Sequence, residues 1–203
     1  MRISFRKAAL SLAALGVALV FVSGPVQAGE FKIADPAGDA TGVNAVESTP
    51  RPSDAELDIL NVAYFSDGKQ LKIDLKMAKI GQPVGAAGYT YRVNFTHGGT
   101  QYQFLYQVLV EPFNTPLFIL RSGTTGDEVV CKCSGKVNGK TATLEIRADI
   151  ASMSRGIKAF DPSAPPIGPG TKFTNLNNSA DRVLGLLISA DLANAKPEQA
   201  FVI

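Results

Sequence analysis

Five carboxylates gather in two short runs near the start of this chain. Asp35 and Asp39 stand in Ala34-Asp35-Pro36-Ala37-Gly38-Asp39-Ala40, and Asp54, Glu56 and Asp58 in Ser53-Asp54-Ala55-Glu56-Leu57-Asp58-Ile59. Ca²⁺ takes about six to eight hard oxygen donors from flexible loops, with backbone carbonyls completing the set. Gly38 lets the backbone bend so that Asp35 and Asp39 can converge. The expected ligands of a structural calcium site are Asp35, Asp39, Asp54 and Asp58; the site is irregular, since no EF-hand spacing is present. The alternative is that Asp and Gly simply populate turns here.

A second group could bind rather than coordinate. Tyr89, Tyr91, Tyr102 and Tyr106 recur with period two, interleaved with Arg92, Asn94, Gln101, Gln103 and Gln107. On an exposed concave sheet face, Tyr89, Tyr91, Arg92, Tyr102 and Tyr106 would suit a glycan or other cell-surface polymer. A period-two aromatic row is more often core packing.

The two cysteines, Cys131 and Cys133, flank Lys132. Two cysteines exclude a disulfide framework. On a strand they share a face, and the one-residue gap strains a bridge between them. They read as partly buried thiols or a disulfide formed on export, with an intermolecular bridge or soft-metal site as the functional alternatives.

Enzyme chemistry is poorly provided for. His97 is the one histidine, no Gly-x-Ser-x-Gly elbow precedes a helix, and no glycine-rich loop links a strand to a helix in the manner that cradles phosphate. A non-catalytic protein is expected. No Lys/Arg run marks a nucleic-acid surface.

The elements that would position these residues are mostly strands. Leu71, Ile73, Leu75 and Met77 alternate with Lys72, Asp74, Lys76 and Ala78, after a Ser66-Asp67-Gly68-Lys69 turn. Strands at Tyr89–Phe95 and Tyr102–Val110 flank His97-Gly98-Gly99. A hairpin is expected over 129–148 around Asn138-Gly139, with Ala142, Leu144 and Ile146 inward. A late strand is expected at Leu184–Ile188, and Phe201-Val202-Ile203 can pair at an edge. One helical turn fits after Asp149 as cap. Residues 35–52 and 161–170 read as loops. Many short alternating strands argue for an all-β, antiparallel two-sheet sandwich, jelly-roll-like.

The first 28 residues read as a cleaved signal peptide. Arg2, Arg6 and Lys7 precede an uncharged apolar run, Ala8–Val22, and the small-residue exit Val26-Gln27-Ala28. The run is shorter than a bilayer span of roughly 18–20 residues. Removing 28 residues and their three positive charges from a 203-residue chain with 20 Lys+Arg and 18 Asp+Glu leaves 175 residues near −1. Residues 29–203 then form a single domain, secreted or in the periplasm or at the cell surface, with no membrane span after cleavage. Its oligomeric state is not legible.

Asp35-Pro36-Ala37-Gly38-Asp39, Leu57-Asp58-Ile59-Leu60 with Val62, and Asp67-Gly68-Lys69-Gln70-Leu71 together resemble the CBM9-like/DOMON-like superfamily of secreted β-sandwiches. Gly170-Thr171-Lys172-Phe173 and Asp191-Leu192-Ala193 are similar to the C-terminal half of such domains. The resemblance implies a non-catalytic module that binds carbohydrate, haem or a surface partner, often with structural calcium. Sugar-binding members clamp saccharides with tryptophan, and this chain has none. Haem-binding members use Met and His; Met77 and His97 are the tempting pair, but Met77 continues an apolar face, so haem is disfavoured. A glycan or cell-envelope component is the expected partner. The alternative is an envelope structural or adhesion protein binding another protein through an edge strand.

Overall fold

The computed structural model describes residues 30–44, 50–51, 57–80, 88–108, 116–184 and 187–203. The expected signal segment and Asp54 lie outside the described residues. In chain order the elements are β1 (Glu30–Ala34), β2 (Thr41–Asn44), β3 (Pro50–Arg51), β4 (Ile59–Ser66), β5 (Gln70–Met77), β6 (Gly88–His97), β7 (Thr100–Val108), β8 (Leu117–Ser122), β9 (Cys133–Asn138), β10 (Thr143–Asp149), α1 (Ile150–Phe160), β11 (Lys172–Leu184), β12 (Leu187–Asn194) and β13 (Phe201–Val202).

They form an all-β sandwich of two antiparallel sheets. The smaller sheet runs β1-β4-β5-β10-β9. The larger runs β3-β2-β12-β11-β6-β7-β8, with β13 paired to the start of β11. Alternation dictates which side of each strand is dry. On β5, Leu71, Ile73, Leu75 and Met77 are buried while Lys72, Asp74 and Lys76 are not. They meet Val62, Tyr64, Leu144 and Ile146 of the same sheet, and Val93, Phe95, Phe104 and Phe173 of the other, in one apolar core. The driving force is removal of that surface from water, at about 25 cal/mol per Å².

The β6–β7 hairpin turns at Gly98 and Gly99, with φ of 60° and 85°. Two consecutive positive φ values are what a two-residue turn between twisted strands demands. The β9–β10 hairpin differs from the expected Asn138-Gly139 turn. Thr143 pairs with Asn138, so four residues close the loop. Asn138 Oδ1 accepts from Lys140 N and Thr141 N, and the positive φ falls on Ala142, 46°, rather than on Gly139. Ala142 is therefore a turn residue, not an inward one.

Three further expectations change. Residues 35–52, expected as a loop, carry β2 and β3. Leu184 and Ile188 belong to two strands, β11 and β12, joined as a hairpin; residues 185–186 lie outside the described residues. The single helical turn is an 11-residue helix. Asp149 caps it as expected, accepting from Ser152 N at 2.6 Å. Ile150, Met153 and Ile157 then bury one stripe. Gly156 sits against the Val130 carbonyl, where a side chain would collide, so this glycine, unfavourable to helix propensity, is what lets α1 dock.

Candidate metal centre

The acidic loop begins where β1 ends. Asp35 N–H donates to Leu60 O at 3.0 Å, carrying the β1–β4 pairing one residue further. The chain then turns through Pro36 and Ala37 to Gly38, at φ 85°. Asp58, buried just ahead of β4, holds that turn from below. Both its carboxylate oxygens accept from Gly38 N–H, each at 2.9 Å. Asp58 thus shapes the loop that carries Asp35 and Asp39.

The remaining member comes from the other sheet. Asp191 lies on β12, buried, and faces inward opposite Ala180. Its Oδ2 accepts from Ile59 N–H at 2.6 Å, across 132 residues of sequence. Its Oδ1 accepts from its neighbour's Leu192 N–H at 2.8 Å. Carboxylate oxygens of Asp35, Asp39 and Asp191 all lie within 4.8 Å of one another.

Charge makes this arrangement unstable by itself. No ion pair among the described residues involves these acids. Asp35 Oδ2 is buried without a hydrogen-bond partner, a costly condition for a carboxylate oxygen. Burial, then the negative charges of Asp191 and Asp39 and a hydrogen bond from the protonated carboxyl to Asp191, push the Asp35 carboxyl up to about 7. Burial likewise raises Asp191, although the Ile59 and Leu192 amides pull the other way. Either a proton or a cation must occupy such a cluster at neutral pH. Three carboxylates of hard oxygen, open on the Asp39 side, match the donor chemistry of Ca²⁺; backbone carbonyls and water would complete the coordination.

Of the expected ligands, Asp35 and Asp39 come together, Asp58 stands behind them holding Gly38, and Asp54 lies outside the described residues. Asp191 was not expected in this cluster. Its signal was an acid at an inward position of a strand, where Asp is disfavoured.

The tyrosines are a correction. Tyr89, Tyr91, Tyr102 and Tyr106 are all buried, at 1%, 2%, 0% and 5% exposure. They form the inward face of β6 and β7, with Tyr91 and Tyr106 rings 6.3 Å apart. No ligand outside the sandwich can stack on them. Their polar neighbours point the other way. Asn177, Asn94, Gln103 and Arg121 stand in one registered row across β11, β6, β7 and β8. Asn94 Nδ2 donates to Asn177 Oδ1 at 2.5 Å, Gln103 Nε2 to Asn94 Oδ1 at 2.6 Å, and Arg121 Nε to Gln103 Oε1 at 2.8 Å. Arg92, on the same face, is ion-paired with Asp181.

Met77 is core, as the alternation implied. His97 is buried at the β6–β7 turn, with Nε2 2.8 Å from Pro165 O and its ring edge-on to Phe173. Cys131 and Cys133 are joined in a disulfide, Cα atoms 5.3 Å apart. No helix among the described residues is long and apolar enough to cross a membrane.

Compared with protein-family models, curated proteins and solved structures, the chain finds no match.

Proposed function

We propose that this chain is a non-catalytic binding domain that works outside the cytoplasm and is locked in shape by calcium. The observation that carries this reading is the convergence of Asp35, Asp39 and Asp191 from two sheets, with an Asp35 oxygen buried against acids and given no hydrogen-bond donor unless one of the acids holds a proton. A cation there ties the loop after β1 to β12 and so pins one end of the sandwich. The signal-like N-terminus supports export, into compartments where calcium is available. The likeness to CBM9-like/DOMON-like sandwiches, carried by short motifs, points the same way.

With the tyrosines in the core, the binding surface reduces to the polar outer face of the larger sheet. Arg92, Gln101 and Gln107 are half-buried there, beside the amide row. Amides and guanidinium groups held in fixed geometry suit the hydroxyl and carboxylate groups of a cell-surface polymer by hydrogen bonding rather than by stacking.

Two measurements test this. Titration calorimetry of residues 29–203 with CaCl₂ should give one site, lost in Asp35→Ala with Asp39→Ala. Affinity electrophoresis through gels cast with neutral or uronic-acid polysaccharides should retard the calcium-loaded protein, and less so its Arg92→Ala variant. No heat with calcium removes the metal reading; unretarded migration in every gel removes the polymer reading and leaves a protein partner.

A further inference from the structure

The Cys131–Cys133 bond has no part in the reading above, and its surroundings suggest a use. It closes a ring of only three residues, Cys131-Lys132-Cys133. A loop that short removes little chain entropy on closure, so the bond contributes little to holding the fold. Other bonds hold the segment on both sides. Cys133 opens β9, which is paired with β10 over six residue pairs. Lys132 N–H donates to Ser152 Oγ of α1 at 2.8 Å, and Lys132 O accepts from Asp149 N–H at 3.0 Å. Just upstream, Val129 N–H donates to Leu120 O at 2.8 Å, and Gly156 of α1 lies against the Val130 carbonyl. The two Cα atoms are thus fixed near each other whether or not the sulfurs are bonded.

The two cysteines are also only half-buried, packing one side on the core, while Lys132 between them is exposed. Val130 beside them is 78% exposed, an apolar contact for an incoming chain. Asp149, which caps α1 beside this segment, accepts from the Ser152 N–H.

We propose that Cys131 and Cys133 are a redox-active couple, exchanging electrons with thiols outside the cytoplasm while the sandwich stays folded. A thiolate RS⁻ attacks one sulfur of the pair. The RS–S bond forms, the Cys131–Cys133 bond breaks, and the other cysteine leaves as thiolate. A second RS⁻ attacks the mixed disulfide, releasing RSSR and the second cysteine thiolate. Two thiols are oxidised, the pair takes two electrons, and two protons settle on its sulfurs. The reverse sequence oxidises dithiols.

The test equilibrates residues 29–203, which carry every element of the sandwich, with glutathione buffers of stepped reduced-to-oxidised ratio. Maleimide mass shift reads the dithiol fraction, and circular dichroism reads the fold. The expected result is a reversible passage from oxidised to reduced within the buffer series, with the dichroism unchanged. Cys131→Ser should trap one glutathione on Cys133. A bond that resists glutathione until the protein is denatured overturns the proposal. So does one whose reduction melts the fold, since either outcome makes it a structural clip.

Discussion

Two of the polar links between the sheets of this sandwich are built on opposite terms. Tyr64 of β4 donates its hydroxyl to Asn178 Oδ1 of β11 at 2.7 Å, and Asn178 Nδ2 donates to Ala193 O at 2.8 Å. Both side chains are buried, at 1% and 0% exposure. The groups are neutral and each is matched, so burial only pushes the Tyr64 phenol further from ionising. The acidic link is charged and unmatched. Asp35 and Asp39 follow β1, Asp191 sits on β12, and their oxygens crowd together with one of them orphaned. A closed link is finished by folding alone. An open one needs something from solution, which makes it the place where conditions can act on stability.

Asp191→Ala should have the largest effect. It removes one of the three clustered acids, a ligand in the proposed calcium site, and leaves Ile59 N–H without its acceptor. At a hundredfold excess of calcium over Kd, bound metal stabilises by about 2.7 kcal/mol, and the orphaned amide costs about 1–3 kcal/mol more. Urea unfolding with calcium and with EDTA reads both parts: the variant should lose the calcium increment and be weaker in EDTA as well.

Tyr64→Phe comes next. It strands Asn178 Oδ1 and should cost about 1–3 kcal/mol, by the same amount in calcium and in EDTA. A cost that depends on calcium would mean the two links are one coupled unit, and the contrast between them would fail.

Asp58→Asn should act only through the loop. It weakens the hold on Gly38 without removing a ligand of the cluster, so calorimetry should show calcium affinity down by about tenfold, the lower end for groups that orient ligands, with stability in EDTA little changed. Abolished binding would instead make Asp58 a ligand.

Much of the fold was legible where side-chain chemistry and strand period agree. β5 could be read residue by residue, and so could the Gly98-Gly99 turn. β11 could not, although it lies between β12 and β6 in the larger sheet. Its composition is the reason: Thr174, Asn175, Asn177, Asn178, Ser179 and Asp181 are turn-favouring or polar types, and only tertiary pairing makes a strand of them. The tyrosine row shows a different limit. Period two separates Tyr89 and Tyr91 from Thr90 and Arg92, but period alone does not say which face is dry. The candidate site was half legible. Asp35 and Asp39 are four residues apart around Gly38, a local matter. Asp191 arrives through the pairing of β12, which no spacing in the sequence announces.

The central claim is that the open link is completed by calcium, and pH tests it together with the metal. Folding raises the Asp35 carboxyl from 3.8 to about 7. Without metal the folded state therefore binds the proton more tightly than the unfolded chain, and this contribution to stability is full below about pH 4 and lost as pH rises through about 7. Calcium must displace that proton, so it binds best above about pH 7. The decisive measurement is the melting temperature of residues 29–203 at pH 5 and pH 8, each in EDTA and in millimolar CaCl₂. We expect calcium to raise Tm at pH 8 by about 5–10 °C, the shift that about 2.7 kcal/mol gives a chain of this size, by clearly less at pH 5, and not at all in Asp35→Ala with Asp39→Ala. Equal melting temperatures in EDTA and calcium at both pH values would contradict the account and leave the three acids as a proton-sharing cluster.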